Sequence, residues 1–87
     1  IVAASDIIAM SALLALTERQ LNVPEDVSVI AYDDVPLAQH TTPPLTTIRQ
    51  DMSKGAELLI ELLFKRLSGD ITGSVVIEPE LIQRGSA

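Results

Sequence analysis

The sequence predicts an α/β fold, a parallel sheet with flanking helices, and three observations carry that reading. β-rich and helix-periodic segments alternate along the chain, as strand–helix–strand, loop, strand–helix–strand. One β-rich segment, Val27–Tyr32, is almost continuously apolar, the pattern of a strand covered on both faces. Two other segments repeat apolar residues at spacings of three and four, the period of a helix with one covered face.

The first element is the short apolar run Ile1–Ala4, read as a strand. A helix follows, with Ile7, Met10, Leu13, Leu14 and Leu16 at helical spacing and Ala9, Ala12 and Ala15 adding propensity. Ser5 or Asp6 can cap its first amides, and Asp6 suits the positive end of the helix dipole. Asn22 is the expected left-handed C-cap residue, and Pro24 prevents continuation. Val27–Tyr32 then forms the second strand and stops at Asp33 and Asp34. Residues Val35–Pro44, with three prolines and a histidine, read as an irregular loop. Leu45–Gln50 is a short strand or extended crossover.

Helical spacing returns over Asp51–Leu67. Met52, Ala56, Leu59, Ile60, Leu63 and Leu67 make one stripe, and Glu57, Glu61 and Lys65 lie on another face. Glu61 and Lys65 are an i,i+4 pair in the favourable order. Gly55 is a mild cost that marks close packing. Ser68, Gly69 and Asp70 end the helix. Ser74–Ile77 reads as a strand, interrupted by Pro79 and continued by Leu81–Gln83, before the tail Arg84–Ala87.

Composition narrows the function. The chain has 87 residues, 47% of them apolar, with 12 acidic and 6 basic side chains and a net charge of −6. That balance is neither disordered nor suited to nucleic acid, whose binding needs clustered Lys and Arg to replace phosphate counterions. There is no cysteine and one histidine, so no metal site or cofactor is expected and His-based catalytic sets are largely excluded. The stretch Leu58–Leu63 is broken by Glu61 and far shorter than the roughly 20 residues that span a bilayer, so no membrane partner is expected. The chain opens at Ile1 without a basic leader, and Val27–Tyr32 needs more neighbours than these segments supply. Part of a larger protein is therefore expected.

The chemistry gathers at strand ends. In open α/β sheets ligands bind outside the carboxyl ends of strands, which makes Asp33 and Asp34 candidates for orienting a hydroxylated ligand. From this feature alone, turn initiation and capping of backbone amides are the better explanation of an Asp-Asp pair. Ser5 and Asp6 close the first strand and face the same choice between ligand and helix cap. His40 has no evident nucleophile or orienting partner. No Gly-rich phosphate loop, GxSxG elbow or HExxH motif is present, so no enzyme is expected.

Taken in order, these segments resemble the C-terminal part of the effector-binding region of the lactose-repressor (LacI/GalR) family of bacterial transcription regulators. The likeness runs over nearly the whole chain. It begins at Ala4-Ser5-Asp6, continues through Val23-Pro24-Glu25-Asp26-Val27-Ser28 to the strand ending in Asp33-Asp34, then Thr42-Pro43-Pro44-Leu45-Thr46-Thr47-Ile48-Arg49-Gln50, and closes at Glu80–Ser86. The resemblance implies a partial type I periplasmic-binding-protein-like fold spanning parts of two lobes. By that pattern residues 1–44 belong to the C-terminal lobe and 45–50 cross between lobes. Residues 51–73 supply a helix and turn of the N-terminal lobe, and 74–87 return to the C-terminal lobe.

The resemblance also implies roles. Asp33 matches the family aspartate that hydrogen-bonds effector hydroxyls. Ser5 stands where many members have an effector-binding asparagine, and is shorter and without an amide donor. Asp6 caps the helix. Ala31 replaces the usual glycine before the aromatic residue. Met10, Leu14, His40 and Thr41 match the C-lobe dimer face. The implied protein is a cytoplasmic homodimer that binds a sugar or purine-like effector. It would contact operator DNA only through an N-terminal helix-turn-helix headpiece not contained in these residues. A periplasmic sugar-binding protein is the alternative, and a phosphorylation receiver domain a more distant one, disfavoured by the Pro-rich loop after Asp34.

Overall fold

The computed structural model describes all 87 residues, which fall into two compact units, Ile1–Arg49 with Glu80–Ala87, and Gln50–Pro79. Unit 1 is built on a three-stranded sheet in the order β1 (Ile30–Asp33), β2 (Thr46–Arg49), β3 (Glu80–Ile82). β1 and β2 run parallel, and β3 pairs antiparallel to β2. The sheet is thus mixed. The Ile1–Ala4 segment contributes one parallel bridge, Val2 to Ile30, with the Ala3 amide donating to the Ile30 carbonyl at 2.8 Å.

Helix α1 (Asp6–Glu18) begins at Ser5, whose Oγ accepts from the Ile8 amide at 3.3 Å. Its buried face is Asp6, Ala9, Leu13 and Leu16, spaced by three and four. With Ala3, Val29, Ala31, Ala38 and Leu45 these apolar side chains make the core of the unit. The left-handed residue that ends α1 is Gln20, at φ 60°, not Asn22. The Gln20 amide donates to the Thr17 carbonyl and the Leu21 amide to the Leu16 carbonyl, a Schellman closure that stops the helix two residues before the expected cap.

Three other segments differ from expectation. Val35–Pro44 is not wholly irregular: Pro36–His40 forms a 3-10 turn (η1), started by a proline whose fixed φ suits a first helical position. β1 starts only at Ile30, and its burial is one-sided, with Ala31 buried, Ile30 and Tyr32 half-buried and Asp33 exposed. The tail is no loose end. Ser86 is fully buried; its Oγ donates to the Val29 carbonyl at 2.6 Å and accepts from the Thr46 amide at 2.7 Å. A Cβ at Gly85 would stand 3.2 Å from the Pro43 side chain, so this close approach suits glycine.

Unit 2 contains helix α2 (Met52–Leu67). Asp51 caps it, accepting from the Lys54 amide at 2.9 Å, and Lys65 and Arg66 suit its negative end. Gly69, at φ 88°, and Asp70 close it with the same Schellman pattern as α1. Glu61 and Lys65 pair at 3.1 Å. Gly55 faces Ile77, which an added Cβ would meet at an ordinary 3.8 Å. No α2 side chain is fully buried, and Met52, Leu59 and Leu67 are exposed. Ser74–Ile77 forms no strand; the return strand is Glu80–Ile82. β-branched residues favour extended backbone, but a strand also needs a partner, and none pairs with this segment here.

Candidate functional site

Register places the candidate residues along one edge of unit 1. Val2 bridges Ile30 in parallel, so Ser5 and Asp33, each three residues further on, reach the carboxyl edge of the sheet together. Asp33 is the register partner of Arg49, and Arg49 of Glu80. Serine, aspartate and arginine thus end three adjacent segments, and Glu80 opens the antiparallel β3 beside them, at the edge where α/β sheets hold ligands.

Asp33 and Asp34, indistinguishable as a sequence pair, have different surroundings. Asp33 is exposed, and its carboxylate takes no part in the ion pairs around it. The Asp34 side chain is only 8% exposed and joins two arginines. Arg49 Nε reaches Asp34 Oδ2 at 2.7 Å, and Arg84 reaches Oδ1 at 2.8 Å. Arg84 is held in turn by the Leu45 carbonyl at 2.9 Å. Burial alone would push the Asp34 pKa up. The hydrogen bonds and charges of Arg49 and Arg84 outweigh it and hold the carboxyl below its ordinary 3.8. The bond to Asp34 correspondingly raises the pKa of Arg49, whose guanidinium also lies 4.0 Å from Glu80.

The backbone between these two side chains is strained. Asp33 has φ 124° and Asp34 φ 58°. Aspartate tolerates the left-handed region better than most residues, which suits Asp34, but Asp33 lies beyond it. Such conformations cost on the order of 1–3 kcal/mol each and persist only where surroundings enforce them.

Asp6 is hydrogen-bonded to the residue that follows this pair. It does not cap α1, a role taken by Ser5. Its carboxylate is fully buried, accepting from the Thr47 hydroxyl at 2.5 Å and from the Val35 amide at 2.8 Å. Thr47 Oγ1 also receives the Asp34 amide at 3.3 Å. Sequence reasoning missed this network. The available signals were the acid at a helix start and the threonine pair inside a short strand, both with simpler explanations.

The remaining candidates lie apart from this edge in the chain. Met10 is half-buried, and Leu14, four residues on, is 62% exposed; Ile7 and Ile8, earlier on the same helix, are exposed too. His40 is exposed at the end of η1. The half-buried Thr41 donates to the Ala38 and Pro43 carbonyls at 3.2 and 2.8 Å. No three His, Cys, Asp or Glu side chains are grouped to hold a metal, and no helix is long and apolar enough to cross a membrane.

Comparison with known proteins shows what the chain as a whole is similar to. Residues 1–87 match the periplasmic binding protein-like domain family throughout. The chain is 41% identical over 88 residues to the lactose operon repressor of Rhizobium radiobacter, spanning 100% of this chain and 78% of that protein. It is 43% identical over 84 residues to the HTH-type transcriptional repressor PurR of Histophilus somni, spanning 94% of this chain but 25% of that protein. Among solved structures, the lac repressor dimer bound to operator and the anti-inducer ONPF superposes with a TM-score of 0.93 at 32% identity. That match covers 98% of this chain and 30% of the repressor chain.

Proposed function

The chain belongs to the periplasmic binding protein-like family and, within it, to the LacI/GalR transcription regulators; on that premise we propose that it is part of an effector-sensing domain in which Asp33 binds the effector. One observation carries the reading. Asp33 is the exposed carboxylate at the carboxyl end of β1, kept out of the ion pairs that occupy its neighbour. An unpaired carboxylate can accept two hydroxyl or N–H hydrogen bonds, which suits a sugar or a purine-like guest.

Ser5 reaches the same edge and adds a hydroxyl to that site. Residues 1–44 serve the C-terminal lobe, 45–50 the crossover, 51–73 the N-terminal lobe and 74–87 the return. The grouping of α2 into a unit of its own supports a separate 51–73 segment, although residues 74–79 group with α2 and only Glu80–Ala87 group with unit 1. Met10 and Leu14, with His40 and Thr41, form the face on which two copies meet. The exposure of Leu14 and Ile7 supports that role. The protein is a cytoplasmic sensor, not an enzyme, and operator is bound by a headpiece outside these residues, consistent with their net charge of −6.

The mechanism is a population shift. Effector favours one arrangement of the lobes, and it moves the equilibrium only by its difference in affinity for the two arrangements. In the intact regulator, calorimetric titration with lactose, D-ribose and hypoxanthine is expected to identify a ligand whose affinity Asp33→Ala lowers more than about tenfold without unfolding the protein. Unchanged affinity in the variant refutes the assignment.

A further inference from the structure

We propose that Asp34 and the Asp6–Thr47 pair are positioning residues, a two-sided clamp that forces the backbone of Asp33 into its strained conformation and so aims its carboxylate at the ligand edge. The inference rests on the effector reading for its purpose but not for its mechanics.

Both sides of the clamp close on the same short stretch of chain. On one side the Asp34 carboxylate is gripped at both oxygens, by Arg49 at 2.7 Å and Arg84 at 2.8 Å. Arg84 is the fixed jaw: its side chain is 17% exposed, it also donates to the Leu45 carbonyl, and its amide donates to Thr46 Oγ1 at 2.8 Å. Arg49 is the looser jaw, 49% exposed. On the other side the amides of Asp34 and Val35 are held by Thr47 Oγ1 and Asp6 Oδ2. The Thr47 hydroxyl does two jobs, receiving the Asp34 amide while donating to Asp6. Every polar group fixed here lies after Asp33, and the sheet pairing of β1 fixes the residues before it. The φ of 124° at Asp33 is what remains to join the two. A conformation this rare persists only when its surroundings over-determine it.

Such a clamp has a distinct signature, because loosening it should free residues 30–36 and leave the rest of the unit folded. The test is hydrogen exchange read by mass spectrometry in the intact regulator. Thr47→Val, which keeps shape but removes the hydroxyl, and Asp34→Asn are each expected to speed exchange in residues 30–36 by about tenfold or more. Exchange over Ala9–Leu16 in α1 should stay within about twofold, and Thr47→Ser should restore the native rate. In an Asp33→Gly background, where a positive φ carries no steric penalty, the effect of Thr47→Val should fall to about threefold or less.

Equal acceleration in both segments would mean a purely structural role and overturn the proposal. So would unchanged exchange in residues 30–36, or an undiminished Thr47→Val effect beside Gly. If Thr47→Val does not fold, Asp34→Asn decides alone. Failure of the effector reading shows up separately: Asp33→Ala would bind lactose, D-ribose and hypoxanthine as the native protein does, with the exchange result still standing.

Discussion

The two helices use their apolar residues in opposite ways. α1 is apolar on nearly every side, yet packs only one narrow face, Ala9, Leu13 and Leu16, beside the buried Asp6. α2 separates its apolar and charged residues far more cleanly and buries none fully. Amphipathicity therefore announces that a face wants cover without saying what covers it. In unit 1 the cover is a sheet and a tail stitched on by Ser86; in unit 2 the stripe from Met52 to Leu67 remains exposed.

The contrast can be broken most directly in the two apolar sets. Leu45 is fully buried, so Leu45→Ala should cost about 2–5 kcal/mol in urea unfolding of the 87-residue chain. Leu59 is 68% exposed, and Leu59→Ala should change stability by less than about 0.5 kcal/mol. Comparable losses would show that α2 is covered, for instance by self-association.

A second test sharpens the difference between the two adjacent aspartates. Asp34 has a folded pKa below its ordinary 3.8, so its pairing stabilises the fold fully above that value. That contribution disappears as pH falls below 3.8 and through the folded pKa. Asp34→Asn should remove this part of the acid dependence of stability. Asp33 stands outside these ion pairs and has no such bond to lose. Acid titrations of the unfolding midpoint of the native protein and of Asp34→Asn are the measurement.

The helix ends offer a smaller, paired effect. Both close with a left-handed residue, Gln20 in α1 and Gly69 in α2. Gln20→Gly should stabilise by about 0.5–1 kcal/mol and Gly69→Ala destabilise by about 1 kcal/mol, seen as opposite shifts in thermal midpoint. The least effect belongs to the Glu61–Lys65 pair, both of whose side chains are more than half exposed. Glu61→Gln should cost about 0.3–0.5 kcal/mol at low salt and nothing measurable at high salt.

Much of the fold was legible because local rules sufficed. The spacing of apolar residues predicted both helices to within a residue or two of Asp6–Glu18 and Met52–Leu67. The β-branched run Thr46–Ile48 predicted β2. Local rules failed where partners are distant. Val75 and Val76 look like strand residues and have no strand beside them, while Ser86 looks like a tail residue and lies at the centre of a hydrogen-bond node 57 residues from Val29.

The sequence by itself determined the α/β alternation, a cap for the first helix at Ser5 or Asp6, and the arrival of carboxylates at a strand end, since each depends on residues a few positions apart. Only the tertiary structure decided which aspartate is tied down and which is left exposed. That choice depends on Arg49, Arg84, Thr47 and Asp6, brought together from three separate segments. Ion pairs and buried hydrogen bonds act over a few ångströms in space, whatever the distance along the chain.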